Sequence, residues 1–286
     1  MESARKSYQD AVKALNYPSP TGHYLLNAML RLAGTELQIG KTAQARKTLE
    51  AVRSLVSAAF SNEIHHASLE NQTAAAATML GYAWMLSGRY RDRSADLFQE
   101  ALDALDKSSV PPEYSVDCTT VRAAATSGLC SIRYLQGRLP EAVGLADKAV
   151  ELLTGATVEY PGDLQVLALL AQALVKRLSL CESRDDFDDH LGNYLPCENI
   201  LANLTKGASG TPQLANLTMS LNMVVGGLAI RHGIPTIFGK TPVAILKPWR
   251  ALADRLTDSS FVIAECKRLC GVDLSPQIGR ASCRER

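Results

Sequence analysis

Apolar residues recur at steps of three and four along almost the whole chain, with Ala, Leu, Arg, Glu and Gln filling between them. That step marks one face of an α-helix, and the fillers are good helix formers. Runs alternating β-branched with polar residues are absent, so strands are not expected. The rhythm breaks at Tyr17-Pro-Ser-Pro-Thr-Gly22, Val110-Pro-Pro112, Tyr160-Pro-Gly162, Gly207 to Pro212 and Gly233 to Pro242, all carrying turn chemistry. The best-marked stretch is Leu80 to Leu102. There Leu80-Gly81 and Trp84 lie on a first predicted helix, Gly88-Arg89-Tyr90 makes a turn, and Ser94, Phe98 and Ala101 mark a second.

That helix–turn–helix unit recurs. Taking the turn position of each hairpin gives Gly40, Gly88, Gly137, then Asp185 by extrapolation, then Gly233, at intervals of 48, 49, 48 and 48 residues. After each of the first three turns the second helix repeats one spacing: Ala45, Leu49, Val52; Ser94, Phe98, Ala101; Ala142, Ala146, Ala149. This is broadly a small–large–small seam, which lets the two helices of a hairpin approach closely. Ahead of each turn stand Leu32-Ala33, Leu80-Gly81 and Leu129-Cys130. Ala4, Tyr8 and Ala11 repeat the second-helix spacing once more, which leads to the expectation that Met1 falls inside a longer solenoid. A fixed period is the signature of a repeat architecture, because one hairpin cannot bury both faces alone.

These residues resemble the tetratricopeptide-repeat family, closely over about residues 24 to 153 and loosely over 161 to 232. Gly40, Ala45, Gly81, Trp84, Gly88, Phe98, Ala101, Gly137 and Ala142 are the positions that carry the repeat. The resemblance implies a right-handed α-solenoid of stacked antiparallel hairpins; helical periodicity alone would equally permit a bundle. Two departures stand out. The period is 48 rather than the family's roughly 34 residues, and the second repeat carries one inserted residue within Arg89 to Arg93. A narrower likeness concerns Arg122-Ala-Ala-Ala125, Gly128-Leu129, Gln136-Gly-Arg138 and Glu141-Ala142, which are similar to one repeat of the solenoid subunit of the eukaryotic cohesin loader. Subunits of the anaphase-promoting complex are a second fit.

In the tetratricopeptide family the first helices line a concave groove, and some members hold the carboxylate tail of a chaperone there with Lys, Asn and Arg. The matching positions here are Leu30, Gly34, Met79, Ala124 and Gly128, none of which can bind a carboxylate. The same register puts Leu30, Leu37, Tyr82, Met85 and Tyr134 on the groove wall. Aliphatic side chains and a flexible Met beside Tyr suit an apolar helix or extended peptide. The same residues are equally suited to packing between repeats.

Composition narrows the function classes further. The last nine residues, Ile278 to Arg286, back-translate as ATCGGAAGAGCGTCGTGTAGGGAAAGA, which looks like a short-read sequencing adapter read in frame. They are expected to be artefactual, with the natural C-terminus missing, and are set aside. Removing their three Arg and one Glu takes the formal net charge from +1 to −1. So neutral a chain offers no general attraction to nucleic acid or an anionic membrane. No run approaches the roughly 18 apolar residues of a membrane span. The remaining cysteines (118, 130, 181, 197, 266 and 270) show no paired framework, which favours a reducing, intracellular compartment, cytoplasmic or nuclear.

Three segments invite specific chemistry. Gly233-Ile-Pro-Thr-Ile-Phe-Gly-Lys-Thr241 approaches a phosphate loop, but has five residues between its glycines where four are needed, and follows a helix. Asp185, Asp186, Asp188, Asp189 and His190 suggest a cation loop, yet Leu191 and Cys197 stand where a calcium loop needs Gly and Glu. The acids read instead as the opening turn of a helix. His65-His66 is adjacent, so the two rings diverge.

The sequence therefore predicts four regions: 1–23, a partial hairpin helix and linker; 24–232, the solenoid; 233–276, an irregular loop and a C-terminal helical pair; and 277–286, the artefactual tail. With no nucleophile–base or metal-spaced motif, no enzyme, cofactor or metal is expected. The expected partner is another protein, bound as a helix or extended segment within an assembly. The alternatives are a fragment of a cohesin-loader-like or anaphase-promoting-complex-like subunit, and a regulatory module with a missing effector domain.

Overall fold

The helical rhythm becomes helices nearly wherever it runs. The computed structural model describes residues 2–15, 22–61, 67–86, 91–107, 115–207 and 212–246. Among these the chain forms eleven helices: α1 (Glu2–Leu15), α2 (Gly22–Gln38), α3 (Thr42–Ser61), α4 (Ala67–Leu86), α5 (Arg91–Lys107), α6 (Ser115–Leu135), α7 (Leu139–Glu159), α8 (Leu164–Ser179), α9 (Arg184–Leu191), α10 (Tyr194–Gly207) and α11 (Pro212–Arg231). Residues 242–246 add a further helical turn. The chain divides into two compact units, Met1–Pro161 and Gly162–Arg286. The dividing point is the Tyr160-Pro-Gly162 break.

In the first unit, α2 with α3, α4 with α5, and α6 with α7 form successive pairs, and each pair also packs on the next through α3–α4 and α5–α6. The first helices of the pairs touch one another as well, α2 against α4 and α4 against α6, whereas α3 and α5, and α5 and α7, make little close backbone contact. The gap between α3 and α5 is spanned by long side chains: Arg53 donates to both carboxylate oxygens of Glu100 at 2.6 and 2.8 Å. At the other end α1 packs on α2, with Arg5 Nε 3.5 Å from the buried Glu36 and Lys41 donating to Glu2 at 2.7 Å.

The seam residues explain why the pairs close. Ala45, Leu49 and Val52 on α3, Ser94, Phe98 and Ala101 on α5, and Ala142, Ala146 and Ala149 on α7 are all buried. The small residues Ala45, Ser94, Ala101, Ala142, Ala146 and Ala149 let the backbones approach, and Leu49, Val52 and Phe98 fill the space left. Phe98 is fully buried in a cluster with Ala33, Leu49, Leu80, Ala101, Ala125, Leu129 and Ile132. Cys130 is likewise buried as a small apolar residue on α6.

The turn glycines share one geometry. Gly40, Gly137 and Gly233 have φ of 77°, 75° and 66°, a left-handed region in which a Cβ is penalised. At each, the following amide donates five residues back: Lys41 to Glu36, Arg138 to Arg133, and Ile234 to Ala229, at 2.8–2.9 Å. This is the Schellman stop that satisfies the last carbonyls of a helix. The repeat period read from the sequence is thus the spacing of helix ends. Gly88 lies outside the described residues, as do His65, His66 and the segment after residue 246. Asp185, which extrapolation puts at a hairpin turn, stands instead in the first turn of α9.

The second unit is built differently. Its central helix α8 packs against both α10 and α11, which also pack on each other, and α9 is only eight residues long. Asp163 caps α8 by accepting from the amides of Gln165 and Val166 at 2.8 and 3.0 Å, and Ser183 caps α9 through Asp186 N at 3.1 Å. The Ser183 cap sets the short connection between α8 and α9, and the even hairpin rhythm ends there. On α11, Gly226 lies directly under the Leu246 side chain, so that a Cβ would come within 2.7 Å of it. The phosphate-loop-like segment is a tight turn in which Ile237 and Lys240 exchange backbone hydrogen bonds at 2.9 and 3.0 Å. The amides of Gly233 and Ile234 donate back to Ile230 and Ala229 of α11, and the Lys240 ammonium donates to Glu198 at 3.0 Å. Among the described residues no helix is long and apolar enough to cross a membrane.

Candidate functional site

The row of first helices carries the expected groove residues. Leu30 and Leu37 on α2, Tyr82 and Met85 on α4, and Tyr134 on α6 are each partly buried. Leu30, Tyr82 and Met85 rest against the Phe98 cluster. Tyr82 does more than line a wall. Its ring meets Phe98 edge-on with centroids 5.0 Å apart, and its hydroxyl donates to the Ala124 carbonyl of α6 at 2.8 Å. Burial, with a smaller push from Cys130, raises the phenol well above its ordinary value, so it remains a donor throughout the working pH range. Tyr82→Phe should lower stability by about 1 kcal/mol, the net worth of one hydrogen bond, measurable as a shifted denaturant midpoint with an unchanged slope.

Between α4 and α6 the decisive packing is one that pattern reading does not reveal. A Cβ built on Gly81 would come within 2.8 Å of the Phe98 ring, and one built on Gly128 within 2.3 Å. Phe98 therefore occupies the space that two glycines on two different helices leave open. By sequence Gly128 is a groove position unable to bind a carboxylate and part of one repeat fragment, and neither points to Phe98. Its role is to admit an aromatic ring from a residue thirty positions upstream. Trp84, also a repeat position, has the guanidinium carbons of Arg46 and Arg93 at 4.3 and 4.5 Å from its ring centroid, which ties α3, α4 and α5 together through cation–π contacts.

Comparison with protein-family models and with curated proteins gives no match. The site has to be read from its own geometry. A cleft of about 510 Å³ opens between α4 and α5, lined by Glu70 and Thr73 on one side and Asp96, Glu100, Asp103 and Lys107 on the other. Its charge is partly met already, since Glu100 is held by Arg53 and Asp103 accepts from Gln99 at 2.8 Å.

The second unit holds a tighter cluster, where the end of α8 turns into α9. Arg177, 6% exposed, donates to both carboxylate oxygens of Asp186, from Nη2 to Oδ1 at 2.8 Å and from Nη1 to Oδ2 at 3.4 Å. Nη1 also lies 3.5 Å from the Cys181 sulfur. His190, one turn beyond Asp186, sets its Nδ1 2.9 Å from the Asp186 carbonyl and 3.3 Å from Oδ1. Burial alone would raise the Asp186 carboxyl; the hydrogen bonds and charge of Arg177, helped by Cys181 and His190, outweigh it and hold the group below its ordinary value. The Cys181 thiol goes the other way, pushed up to about 12 by burial and by the neighbouring carboxylate. A thiol so hard to ionise is no nucleophile.

Asp185, Asp186, Asp188, Asp189 and His190 form one acid-rich run in the sequence. Of these the structure brings Asp186 and His190 to the cluster, while Asp185, Asp188 and Asp189 are exposed. Arg177 and Cys181 are the members that lie outside the run. Neither the spacing of acids nor an acid-rich turn points back across a helix end to an Arg and a Cys that read as part of an apolar run. His232 stacks on Phe187 with centroids 6.1 Å apart, and its pKa is lowered by burial and by Arg231.

Proposed function

We propose that the first unit is a tetratricopeptide-like helical-hairpin scaffold that receives a helical or extended segment of a partner protein along its row of first helices. The observation that carries this is the asymmetry of the packing. α2 packs on α4 and α4 on α6, while α3 with α5 and α5 with α7 make little close backbone contact. Helix pairs set closer on one side than on the other curve toward the close side, which supports the first-helix row as the inner surface. Leu30, Leu37, Met85 and Tyr134, each with part of its side chain at the surface, supply apolar contact area there. Tyr and Met provide large or adaptable contact at modest entropic cost. In this reading the right-handed solenoid is the frame, the protein partner is its cargo, and the role is assembly in an intracellular complex.

The test is positional. A photo-crosslinking residue at Leu37 or Tyr134 should trap the same partner in cells, and one at the exposed Lys148 of α7 should not. Leu37→Asp combined with Tyr134→Asp should abolish that trapping while leaving the helical circular dichroism intact. Equal trapping from both faces, or trapping that survives the double variant, would remove the inner row as the binding surface.

A further inference from the structure

We propose that Cys181, Asp186 and His190 form a binding site for a thiophilic divalent cation of the zinc class, with Arg177 holding the carboxylate until the cation arrives. One donor atom from each of the three residues lies within 4.8 Å of the other two. Bonds of about 2.0–2.3 Å in a tetrahedral site put donors roughly 3.3–3.8 Å apart, so the cluster is at most about 1.5 Å wider than a loaded site. The donor set is a sulfur, an imidazole nitrogen and a carboxylate oxygen. It suits a borderline-soft ion rather than calcium or magnesium, which take oxygens.

Local structure supplies the convergence. Asp186 and His190 are four apart on α9 and so share a face, and Cys181 sits in the short connection that the Ser183 cap fixes. Cys181 is 2% exposed, whereas the Asp186 and His190 side chains are 30% and 26% exposed, which leaves an open side for entry and for a fourth, water ligand.

The competitor is Arg177. Its Nη2–Oδ1 bond must be given up when the cation takes Oδ1. Its Nη1, 3.4 Å from Oδ2 and 3.5 Å from the sulfur, must likewise draw back from both when the cation enters. Binding releases the thiol proton to solvent, and the thiolate and carboxylate together balance the two charges of the ion.

Cobalt(II) is the probe. Titrated into the full chain, it should produce a thiolate-to-cobalt charge-transfer absorption in the near ultraviolet at one equivalent, bleached by zinc. Cys181→Ser should remove the absorption, and His190→Gln should weaken cobalt binding by roughly ten- to a hundredfold. Arg177→Lys, which keeps the charge but loses the fork, should tighten it. Absence of the absorption in the unaltered chain, its persistence in folded Cys181→Ser, or weaker binding in Arg177→Lys would each overturn the site.

Discussion

Phe98→Ala should be the most damaging single substitution in the first unit, costing about 3–5 kcal/mol. The ring is the largest fully buried side chain in the α4–α5–α6 cluster. Removing it leaves a void flanked by Gly81 and Gly128, neither of which has a side chain to collapse inward. The complementary experiment overfills the same space. Gly128→Ala places a methyl 2.3 Å from the ring edge, and because α6 cannot retreat without breaking its contacts with α4 and α7, about 1–3 kcal/mol should be lost. The two changes should not add. Phe98→Leu with Gly128→Ala should be more stable than the sum of the single effects predicts, by about 0.5–3 kcal/mol. Additive losses in denaturant unfolding would mean that ring and glycine do not compete for one space.

The second large effect lies in the other unit. Arg177→Met keeps most of the buried stem but leaves Asp186 without its fork. Breaking a buried ion pair costs about 3–5 kcal/mol. The lower end, about 3 kcal/mol, is expected here because the Asp186 side chain retains 30% exposure and can turn to water. The pH dependence has a definite sign. Asp186 is more acidic folded than unfolded, so its contribution is complete above the ordinary carboxylate value of 3.8 and is lost as pH falls below it through the depressed folded value. Acid unfolding of Arg177→Met should lose that component of the slope. A variant as acid-sensitive as the parent would show that Arg177 does not hold the carboxylate.

What could be read in the sequence follows from what is local. Gly40, Gly137 and Gly233 announce themselves because a Schellman stop needs a residue with positive φ, and glycine supplies it at any repeat. The Ala–Leu–Val, Ser–Phe–Ala and Ala–Ala–Ala triplets are visible because a seam between adjacent helices repeats at helical spacing. Gly128 is not visible in this way, since its reason is a ring on another helix thirty residues away. Tyr82 is half legible: an aromatic on an inner helix is readable, the hydroxyl's bond to the Ala124 carbonyl is not. Arg177 hides within Leu164 to Leu180, where one cation in an apolar run looks like a helix end and its partner lies beyond a reversal. Past residue 161 the period persists in Gly233, but helices between α8 and α11 pack as a cluster and not as the pairs that the spacing implies.

The ring between two glycines also constrains how this chain can change over generations. Positions 81, 98 and 128 sit on three helices yet share one volume, so a bulkier residue at either glycine is tolerable only after position 98 has shrunk. Among natural variants, an aromatic at 98 should travel with glycine at both other positions. An aliphatic at 98 should free them for alanine or serine. Drift at any one of the three is therefore conditional on the other two, and the order in which substitutions arrive decides which lineages keep a folded first unit.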